Sequence, residues 1–549
     1  MTEPEPIRPG GPPAPSVFAP LRRVPFALFT GAILVSSSGG WMFAVGAGWL
    51  MADLGASNTM VAAVQTASML PLVLFSVFAG ALGDLLDRRK LLLWTQAGLM
   101  ANAAAFALLI DAGWAVPWMI LLFAALDGVG SVLGRPTMNA IVPQMVPRAE
   151  LMAAMTLRSV AFNLSRALGP GAAGALAALA GPSAPFWGDA LTFLAVIAFL
   201  LWWREGERRD DDIPPERIGQ AMRAALRFMR HDPDLRATTA RTVLFFVPAA
   251  ALWSLMPLIA KERLDGGALL YGLLLAAAGI GAVAFALAAQ RIKARFGASG
   301  SFLGAGMGLS GALALLAVAT DAWVAGVAAF LGGAAWQVAF ALASTSAQYA
   351  LPRWIGARGM AMFQVGMFGG LAAGSILWGA LSDATSIATA LWAAAAAGVA
   401  LNLAGLRFRL DGAERADLSP SDDRPAHHDV RPEGGAADGP VEVRVAYDPG
   451  RADGAARAAL VAAIRSNREP RLREGAMDWN LYADPESGAL VESFTAIDWT
   501  DHERQMTRMT VDDDARTRRI QTLLDAHGGA RTVRHYLPPD AAAPDDGGD

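Results

Sequence analysis

A short charged segment between two long apolar runs holds the residues whose types and spacing best support a defined chemistry. It reads Gly80-Ala-Leu82-Gly83-Asp84-Leu-Leu-Asp87-Arg88-Arg89-Lys90. Two glycines at the end of a membrane helix let a neighbouring backbone approach closely. An acid followed by three cations is costly inside a bilayer but favoured at its cytoplasmic face. The segment therefore predicts a cytoplasmic loop between two closely packed membrane helices.

The composition is that of a membrane protein. The chain has 549 residues, of which 54% are hydrophobic and 17% charged, and its mean hydropathy is +0.36. A soluble protein carries roughly 25% charged residues. The net charge of −4 indicates no bulk affinity for nucleic acid. The absence of cysteine excludes disulfides, thiolate metal sites and cysteine catalysis.

Twelve apolar runs are long enough to cross a bilayer, which takes roughly 20 residues each. They are 24–50, 60–83, 91–110, 116–142, 155–180, 186–203, 242–260, 268–289, 300–319, 322–347, 359–381 and 386–406. The Ala/Gly-rich runs 155–180 and 386–406 are the weakest of the set. Lys and Arg concentrate in alternate loops, and such loops are usually cytoplasmic. With twelve spans, this predicts that the N-terminus and the C-terminus are both in the cytoplasm. A missed or extra helix would break that alternation in one half.

The runs divide the chain into a predicted all-α polytopic membrane part and a soluble part. The layout is a cytoplasmic N-terminal tail at 1–23, a six-helix bundle at 24–203, a cytoplasmic linker at 204–241, a second six-helix bundle at 242–406, a disordered linker at 407–440, a cytoplasmic domain at 441–540 and a disordered tail at 541–549. Within the central linker, apolar residues from Ile218 to Met229 recur at helical spacing with arginines on the other faces. This predicts an amphipathic helix on the cytoplasmic leaflet, with a partner-binding helix as the alternative.

The soluble part alternates strands and helices. Residues 441–447, 477–482, 489–497 and 532–537 have the pattern of strands, and 450–473 and 500–526 that of helices. The order βαββαβ predicts an α+β ferredoxin-like domain.

The opening segment strongly resembles the loop between helices 2 and 3 of major facilitator superfamily transporters. Gly80, Leu82, Asp84, Arg88 and Arg89 match the family pattern, whereas Leu85 and Asp87 depart from it. The resemblance implies two six-helix bundles that rock about a central cargo site by alternating access. It also implies a cytoplasmic conformational latch, whose residues would be Gly80, Gly83, Asp84, Arg88 and Arg89.

A second resemblance lies in the fifth run. Gly169, Pro170 and Gly174 are similar to the helix-5 signature of exporters in this superfamily, although Ala173 replaces one of its glycines. The alternative is a tight helix interface with no bearing on transport direction. A short echo of the opening segment, Gly379-Ala-Leu381-Ser-Asp383, is interpreted as chance.

Ionisable residues within membrane runs are candidates for function because burying them is costly. Asp127 is predicted to couple proton movement, with Arg135 near the same helix face. Arg158, Arg166 and Asp189 are placed nearer the ends of runs, where snorkelling or anchoring is equally expected. Neutral polar groups that could face a cargo cavity, but more often form interhelical hydrogen bonds, are Gln65, Asn102, Asn139, Asn163, Gln337 and Gln364. Trp41, Trp49 and Trp336 could line such a cavity for aromatic or amphipathic cargo.

The soluble part also resembles the dimeric α/β-barrel family related to antibiotic-biosynthesis monooxygenases. The matching residues are Trp479, Leu481, Tyr482, Val491, Glu492, Phe494, Trp499 and His502. The resemblance implies pairing of two copies and a pocket without metal or flavin, with Asn480, His502 and His535 as its candidates. A non-catalytic domain is the favoured alternative. Transporters with such a tail resemble the transmembrane secretion effector branch, which includes the enterobactin exporter.

Together these patterns predict a proton-driven exporter of a small organic molecule, such as a siderophore, secondary metabolite or drug, in a bacterial cytoplasmic membrane. The expected partners are the cargo, the lipid bilayer and a second copy bound through 441–540, with no nucleic acid. No metal or cofactor is expected, because no phosphate-binding loop for ATP appears and a proton gradient would supply the energy. The alternatives are an importer of the same fold and a membrane-tethered enzyme acting through the soluble domain.

Overall fold

The computed structural model of the protein describes residues 18–85, 87–203, 218–352, 354–410, 417–421 and 439–537. The tail predicted for 541–549, and most of the one predicted for 1–23, lie outside these residues. So do the start of the central linker and most of the linker predicted at 407–440.

Two sets of long helices form the membrane part. The N-terminal bundle contains α1 (Val24–Asp53), α2 (Asn58–Leu85), α3 (Arg88–Asp111), α4 (Pro117–Ala140), α5 (Leu151–Ala180) and α6 (Ala184–Trp202). After α7 (Ile218–His231), the C-terminal bundle contains α8 (Pro233–Ser254), the short α9 (Met256–Leu258), α10 (Ala268–Val318), α11 (Ala322–Tyr349), α12 (Gly356–Ala384) and α13 (Ile387–Ala404).

Eleven helical segments of the described chain are long and apolar enough to span a bilayer. The expected run at 155–180 is not among them, although α5 covers it. Arg158, Arg166 and several glycines lower the hydropathy of this helix below that of its neighbours. Length supports a crossing here, whereas composition does not.

Two boundaries differ from the sequence pattern. The runs expected at 268–289 and 300–319 are two helices that meet at a kink at Gly297 (φ 69°), and the label α10 covers both. A positive φ is readily adopted only by glycine, so the expected loop between the runs is reduced to this kink. The second bundle begins at Pro233 rather than near 242, because Asp232 caps α8 by accepting a hydrogen bond from the Leu235 backbone N–H.

The two bundles pack through paired helices. α2 packs on α12, and α5 packs on α10. We call the end of the bundles that holds the α1–α2 and α12–α13 loops the distal face, and the opposite end, where α7 and the soluble domain lie, the tail face. A continuous core of buried aliphatic and aromatic side chains runs through both bundles.

The soluble domain is built on a four-stranded antiparallel sheet in the order β2-β3-β1-β4. Its elements are β1 (Val441–Asp448), α14 (Gly454–Arg465), α15 (Arg468–Glu474), β2 (Asn480–Ala483), β3 (Leu490–Ala496), α16 (Trp499–Thr507), α17 (Val511–Asp525) and β4 (Ala530–Tyr536). Alternate residues of β1 and β3 are buried under the helices, as period-two patterning requires. Residues 417–421, expected to be disordered, pair with the start of α17 through the Pro420–Thr510 bridge.

The position of α7 corrects the prediction of a helix on the leaflet. Its apolar face is covered by protein, because α15 packs on one side and α12 on another. Phe228 is fully buried and its ring meets Trp354 of the α11–α12 loop edge-on at 5.9 Å. Leu226, on the opposite face, is 60% exposed. The apolar face of α7 therefore binds protein, as in the alternative interpretation, and that protein is α12 and α15 of the same chain.

Candidate transport site

The opening charged segment joins elements of one bundle. Asp87 caps α3 by accepting a hydrogen bond from the Lys90 backbone N–H at 3.0 Å. Arg89 donates to the carbonyls of Leu200 and Leu201, at 2.6 and 3.1 Å, at the C-terminal end of α6. A cation at a helix C-terminus is stabilised by the exposed carbonyls. Arg88 is half-buried at the first position of α3. At Gly80, Gly83 and Asp84 the structure describes only the helical backbone of α2.

The distal face is closed by a contact that crosses the bundles. The Asp383 carboxylate at the end of α12 accepts hydrogen bonds from the backbone N–H groups of Asn58 and Thr59, at 2.7 and 2.8 Å, at the start of α2. It also accepts one from the Thr59 hydroxyl. A carboxylate is favoured at a helix N-terminus, whose first N–H groups have no partner within the helix. One bundle thus caps a helix of the other.

Two further contacts reinforce this closure. The Asn58 side chain donates to the Ser382 hydroxyl at 2.9 Å. The Lys261 ammonium donates to the Ala52 carbonyl at 2.7 Å and lies 3.5 Å from the Asp53 carboxylate, so the end of α1 is tied to the segment after α8. Each contact joins the N-terminal to the C-terminal bundle at the distal face.

The helix-5 glycines lie in a close crossing between bundles. A Cβ on Gly174 would be 2.6 Å from the Ala268 carbonyl oxygen and 3.1 Å from the Gly272 Cα. A Cβ on Gly272 would in turn be 2.6 Å from the Pro170 carbonyl oxygen. A Cβ on Gly169 would likewise be 2.6 Å from the Trp41 Cβ of α1. The signature residues therefore let α5 touch both α1 and α10, as the interface interpretation requires.

Two carboxyl groups lie close together inside the N-terminal bundle. Asp189 of α6 is fully buried beside Gly39 of α1, and neither of its oxygens has a hydrogen-bond partner among the described residues. Asp127 of α4 is near enough to act on it electrostatically. Asp189 is thus an interior residue, and of the two roles considered for it the burial does not fit anchoring at the membrane surface. The side chain of Arg135 is not among those described.

The neutral polar candidates each lie on a different helix. Asn139 of α4 accepts a hydrogen bond from Arg158 of α5 at 2.7 Å, and Asn163 donates to the Ser159 carbonyl of its own helix at 2.8 Å. Asn139 thus joins two helices of the N-terminal bundle, whereas the Asn163 bond stays within α5. Gln65, Gln337 and Gln364 are half-buried on α2, α11 and α12.

The soluble domain brings together two of its three predicted pocket residues. The Nε2 atoms of His502 and His535 are 3.1 Å apart, and both rings contact Trp499. Together with Arg471 they line a cavity of about 40 Å³. Asn480 is exposed on the edge strand β2 and lies outside the lining.

The soluble domain docks on the tail face through a buried charge cluster. Arg473 of α15 donates to Asp513 of α17 at 2.8 Å and lies 3.5 Å from Asp232, between α7 and α8. Its guanidinium also lies 3.2 Å from Glu474. Burial raises the pKa of Glu474 to about 8, with the Asp513 charge adding to the effect and Arg473 opposing it. Burial likewise raises the pKa of Asp232 to about 6.

A second docking contact reaches the bundle directly. Arg508, after α16, places its guanidinium 4.3 Å from the ring centre of Trp354 and donates to the Glu474 carbonyl at 3.0 Å. A guanidinium over an indole face is attracted by the ring quadrupole. The soluble domain is therefore attached to both α7 and the α11–α12 loop.

The residues that join distant elements have only weak signals in the sequence. Asp383 belongs to the segment interpreted as chance, and its signal was an acid directly after an apolar run, opposite the start of α2 in the two-bundle arrangement. Lys261 and Arg263 are the two cations in the loops that the Lys/Arg pattern predicts to be on the side opposite the cytoplasm. No local pattern distinguishes Arg473 from the other arginines of α15.

Comparison with known proteins identifies the family. A family model described as transmembrane secretion effector matches residues 15–542. The staphyloferrin A transporter of Staphylococcus aureus is 22% identical over 256 residues, which are 46% of this chain and 64% of that protein. The multidrug efflux pump Tap of Mycolicibacterium fortuitum is 27% identical over 222 residues, 39% of this chain and 54% of that protein. The chain thus spans less than two thirds of the length of these curated relatives.

Solved structures share the fold at low identity. The nucleoside transporter NupG superposes with a TM-score of 0.58 at 12% identity, covering 70% of this chain and 99% of that one. A bacterial homologue of the human lysosomal transporter Spinster, inward-facing and occupied, gives 0.56 at 14%, covering 72% and 96%. These matches agree with the two-bundle architecture. The chain shares the fold of these transporters and belongs to the transmembrane secretion effector family.

Proposed function

We propose that this chain is a proton-driven exporter of small organic molecules that works by alternating access in a bacterial cytoplasmic membrane. The observation that carries the proposal is the Asp383 cap on α2. It joins the two bundles through three hydrogen bonds at the distal face, beside the Asn58–Ser382 and Lys261–Ala52 contacts, so separation at that face breaks a small set of polar interactions. Such a contact suits a gate that opens and closes during each cycle.

We propose twelve spans, with α5 as the one that composition alone does not identify. α5 packs on α1 and α10, so protein and not lipid surrounds much of it. Polar side chains inside a membrane bundle are tolerated where they face other helices. Twelve spans and the Lys/Arg-rich loops support a cytoplasmic position for the tail face, the soluble domain and both termini.

In this orientation the closed distal face is the external one. In alternating access an exporter loads cargo from the cytoplasm while the external gate is shut, and an importer releases cargo in the same state. The names of relatives support export, since the matches include the multidrug efflux pump Tap and the macrolide efflux protein A of Enterococcus faecalis. The sequence hint of an importer is the helix-5 signature, in which Ala173 replaces a glycine.

Asp127 and Asp189 are proposed to carry the coupling proton. Two neighbouring carboxylates, of which Asp189 is fully buried and Asp127 half-buried, repel one another, so ionising both is costly and a proton is expected on the pair. Release of that proton would leave a charge beside α1, which also borders α5 at Gly169. The pair can therefore link protonation to the packing of the helices that meet the second bundle.

The soluble domain is proposed to be ferredoxin-like and non-catalytic. The strand order β2-β3-β1-β4 and the βαββαβ succession fit that fold. A cavity of about 40 Å³ holds a few water molecules but no organic substrate. The face of its sheet away from the helices is partly exposed and polar, so we propose that two copies pair through it. Light scattering of the full chain in detergent should show a dimer, and a monomer at high concentration would exclude this pairing.

The test compares small molecules inside and outside cells that lack the protein with the same cells after its restoration. A compound that builds up inside and falls outside would establish export, whereas one that accumulates outside would reverse the direction. A change in chemical form without a change in location would identify the soluble domain as an enzyme. Applied to inverted vesicles, the identified cargo should release protons from their lumen in the unmodified chain.

Asp127→Asn and Asp189→Asn should each abolish that proton release. The matched control is Asp265→Asn, because Asp265 is exposed in the α9–α10 connection and its positive φ of 49° suits Asn equally well. Proton release that survives both interior substitutions would exclude the carboxyl pair as the coupling site.

A further inference from the structure

One buried cation of the membrane part has an unusual environment. Arg166 lies near the middle of α5, where it is 8% exposed, and not near the end of a run as its sequence position was taken to indicate. No carboxylate among the described residues forms an ion pair with it, and its Nε–H has no hydrogen-bond acceptor among them. A long side chain that snorkels would instead bring its charge to water at the membrane surface.

Three tryptophans surround the guanidinium. Its central carbon lies 5.2 Å from the ring centre of Trp253, 5.9 Å from that of Trp41 and 6.0 Å from that of Trp336. Trp253 and Trp336 meet edge-on at 5.4 Å and form one wall. Cation–π attraction to three indoles offsets part of the cost of burying the charge. This attraction does not supply the guanidinium N–H groups of Arg166 with hydrogen-bond acceptors.

A second donor in the same cluster also lacks an acceptor. The Nε1–H of Trp253 is buried and has no hydrogen-bond partner among the described residues. A buried donor without an acceptor is destabilising, and two beside one another in native structures require an explanation. An oxyanion between them would accept from both, and hydrogen bonds between a guanidinium and an oxyanion are among the strongest in proteins.

The cluster is divided between the two bundles. Trp41 on α1 and Arg166 on α5 belong to the N-terminal bundle, and Trp253 on α8 and Trp336 on α11 belong to the C-terminal one. In transporters of this architecture the cargo lies between the bundles near the midplane. Rocking of the bundles would therefore separate the tryptophans of one from the arginine of the other and open the cluster.

We propose that Arg166, Trp41, Trp253 and Trp336 form the cargo site, and that the cargo carries an oxyanion, such as a carboxylate, next to a flat aromatic group. Arg166 and the Trp253 Nε1–H bind the oxyanion, and the indole faces stack on the aromatic group. This inference rests on the proposed transport function, since it names the class of cargo. It does not depend on the direction of transport or on its coupling to protons.

The test measures equilibrium binding to the purified full chain in detergent at neutral pH, with no gradient. The probes are two matched pairs of acid and amide: benzoate with benzamide, and 1-naphthoate with 1-naphthamide. The unmodified chain should bind at least one acid ten times or more tightly than its amide. Acids that bind no more tightly than their amides, or not at all, would overturn the proposal.

Variants locate the binding to this cluster. Arg166→Gln should weaken acid binding at least tenfold and leave amide binding unchanged, whereas Arg166→Lys should give an intermediate loss, because it keeps the charge but not the planar donors. Trp253→Phe removes one N–H donor and keeps an aromatic wall, so it should weaken acid binding severalfold. Unchanged acid binding in Arg166→Gln would overturn the assignment.

The matched control is Arg158→Gln. Arg158 lies on the same helix, but its guanidinium already donates to Asn139 and lies over the Phe29 ring. Its substitution should leave the preference for acids intact. If acids bind as proposed but the cell comparison shows no export, the function proposed above fails and the site stands. If export is shown but acids are not preferred, this inference fails alone.

Discussion

Two arginines of this chain are equally buried yet have opposite surroundings. Arg166, in the membrane part, is 8% exposed and contacts three indole rings. Arg473, in the soluble domain, is 7% exposed and faces the carboxyl groups of Asp232, Glu474 and Asp513. A buried charge whose partners are all supplied by the protein holds elements together. A buried charge without such partners is available to a ligand.

The largest expected effect is on the arginine with three acids. Arg473→Met leaves those buried carboxyl groups without their cation, so the free energy of unfolding of the soluble domain should fall by roughly 3–5 kcal/mol. Denaturant unfolding of the purified full chain, followed by far-ultraviolet circular dichroism, measures it. Arg519→Met, an exposed arginine of α17, is the control and should change little. A loss no larger than the control's would remove the distinction between the two arginines.

The same cluster predicts a pH dependence. Because burial raises the pKa of Glu474 to about 8 and that of Asp232 to about 6, the folded state holds protons that the unfolded state releases. The contribution of these two groups to the free energy of unfolding is fully present below their ordinary pKa values. It is lost as the pH rises through the raised pKa values of the folded state. Stability should therefore fall by roughly 1 kcal/mol per pH unit between pH 5.5 and 7.5.

Asp513 titrates in the other direction and leaves that window unaffected. Burial alone would raise its pKa, but the Arg473 charge and hydrogen bonds from Glu474 and Thr510 outweigh burial and lower it. Its contribution is lost only when the pH falls below its ordinary range. Glu474→Gln should flatten the decline between pH 5.5 and 7.5, and an equally steep decline in that variant would assign it to other groups.

A smaller effect is expected at the distal face. Asp383→Ala removes the cap on α2 and should cost about 1–2 kcal/mol of bundle closure. The chain has no cysteine, so Thr66→Cys can report access between α2 and α12 without background. Labelling of that cysteine by a membrane-impermeant maleimide should speed up about tenfold, since tenfold corresponds to roughly 1.4 kcal/mol.

The control for this prediction has the same chemistry without crossing the bundles. Asp321 caps α11 by accepting hydrogen bonds from the backbone N–H groups of Trp323 and Val324, all at the distal face. Asp321→Ala should leave the labelling rate nearly unchanged. Equal acceleration by both substitutions would mean that loss of any cap, rather than loss of the inter-bundle contact, opens this face.

The smallest effect has the opposite sign to the first. Arg166→Met replaces an unpaired buried charge by an apolar side chain of similar length, so the stability of the membrane part should stay the same or rise by about 1 kcal/mol. The thermal midpoint of the purified chain measures it. A loss comparable to that of Arg473→Met would show that the indole cluster needs the cation for folding and would make the two arginines alike.

The sequence predicted the membrane part well, because apolar length is a local property. The bounds of the long helices follow the apolar runs, and α5 is the one whose composition obscures it. Local patterning also predicted α7, but it could not say whether lipid or protein covers the apolar face. Asp383 was overlooked because its partners, Asn58 and Thr59, lie more than 300 residues away.

By itself, the sequence determined the kind of elements and their order along the chain: apolar helices in two sets, a small sheet with alternating burial and a charged loop between α2 and α3. These follow from hydropathy and periodicity, which act over neighbouring residues. Only the tertiary structure decided which charges are paired. Arg166 and Arg473 are both arginines within helical patterns, and their difference arises from the helices that pack around each of them. That packing brings three carboxyl groups to one side chain and three indoles to the other.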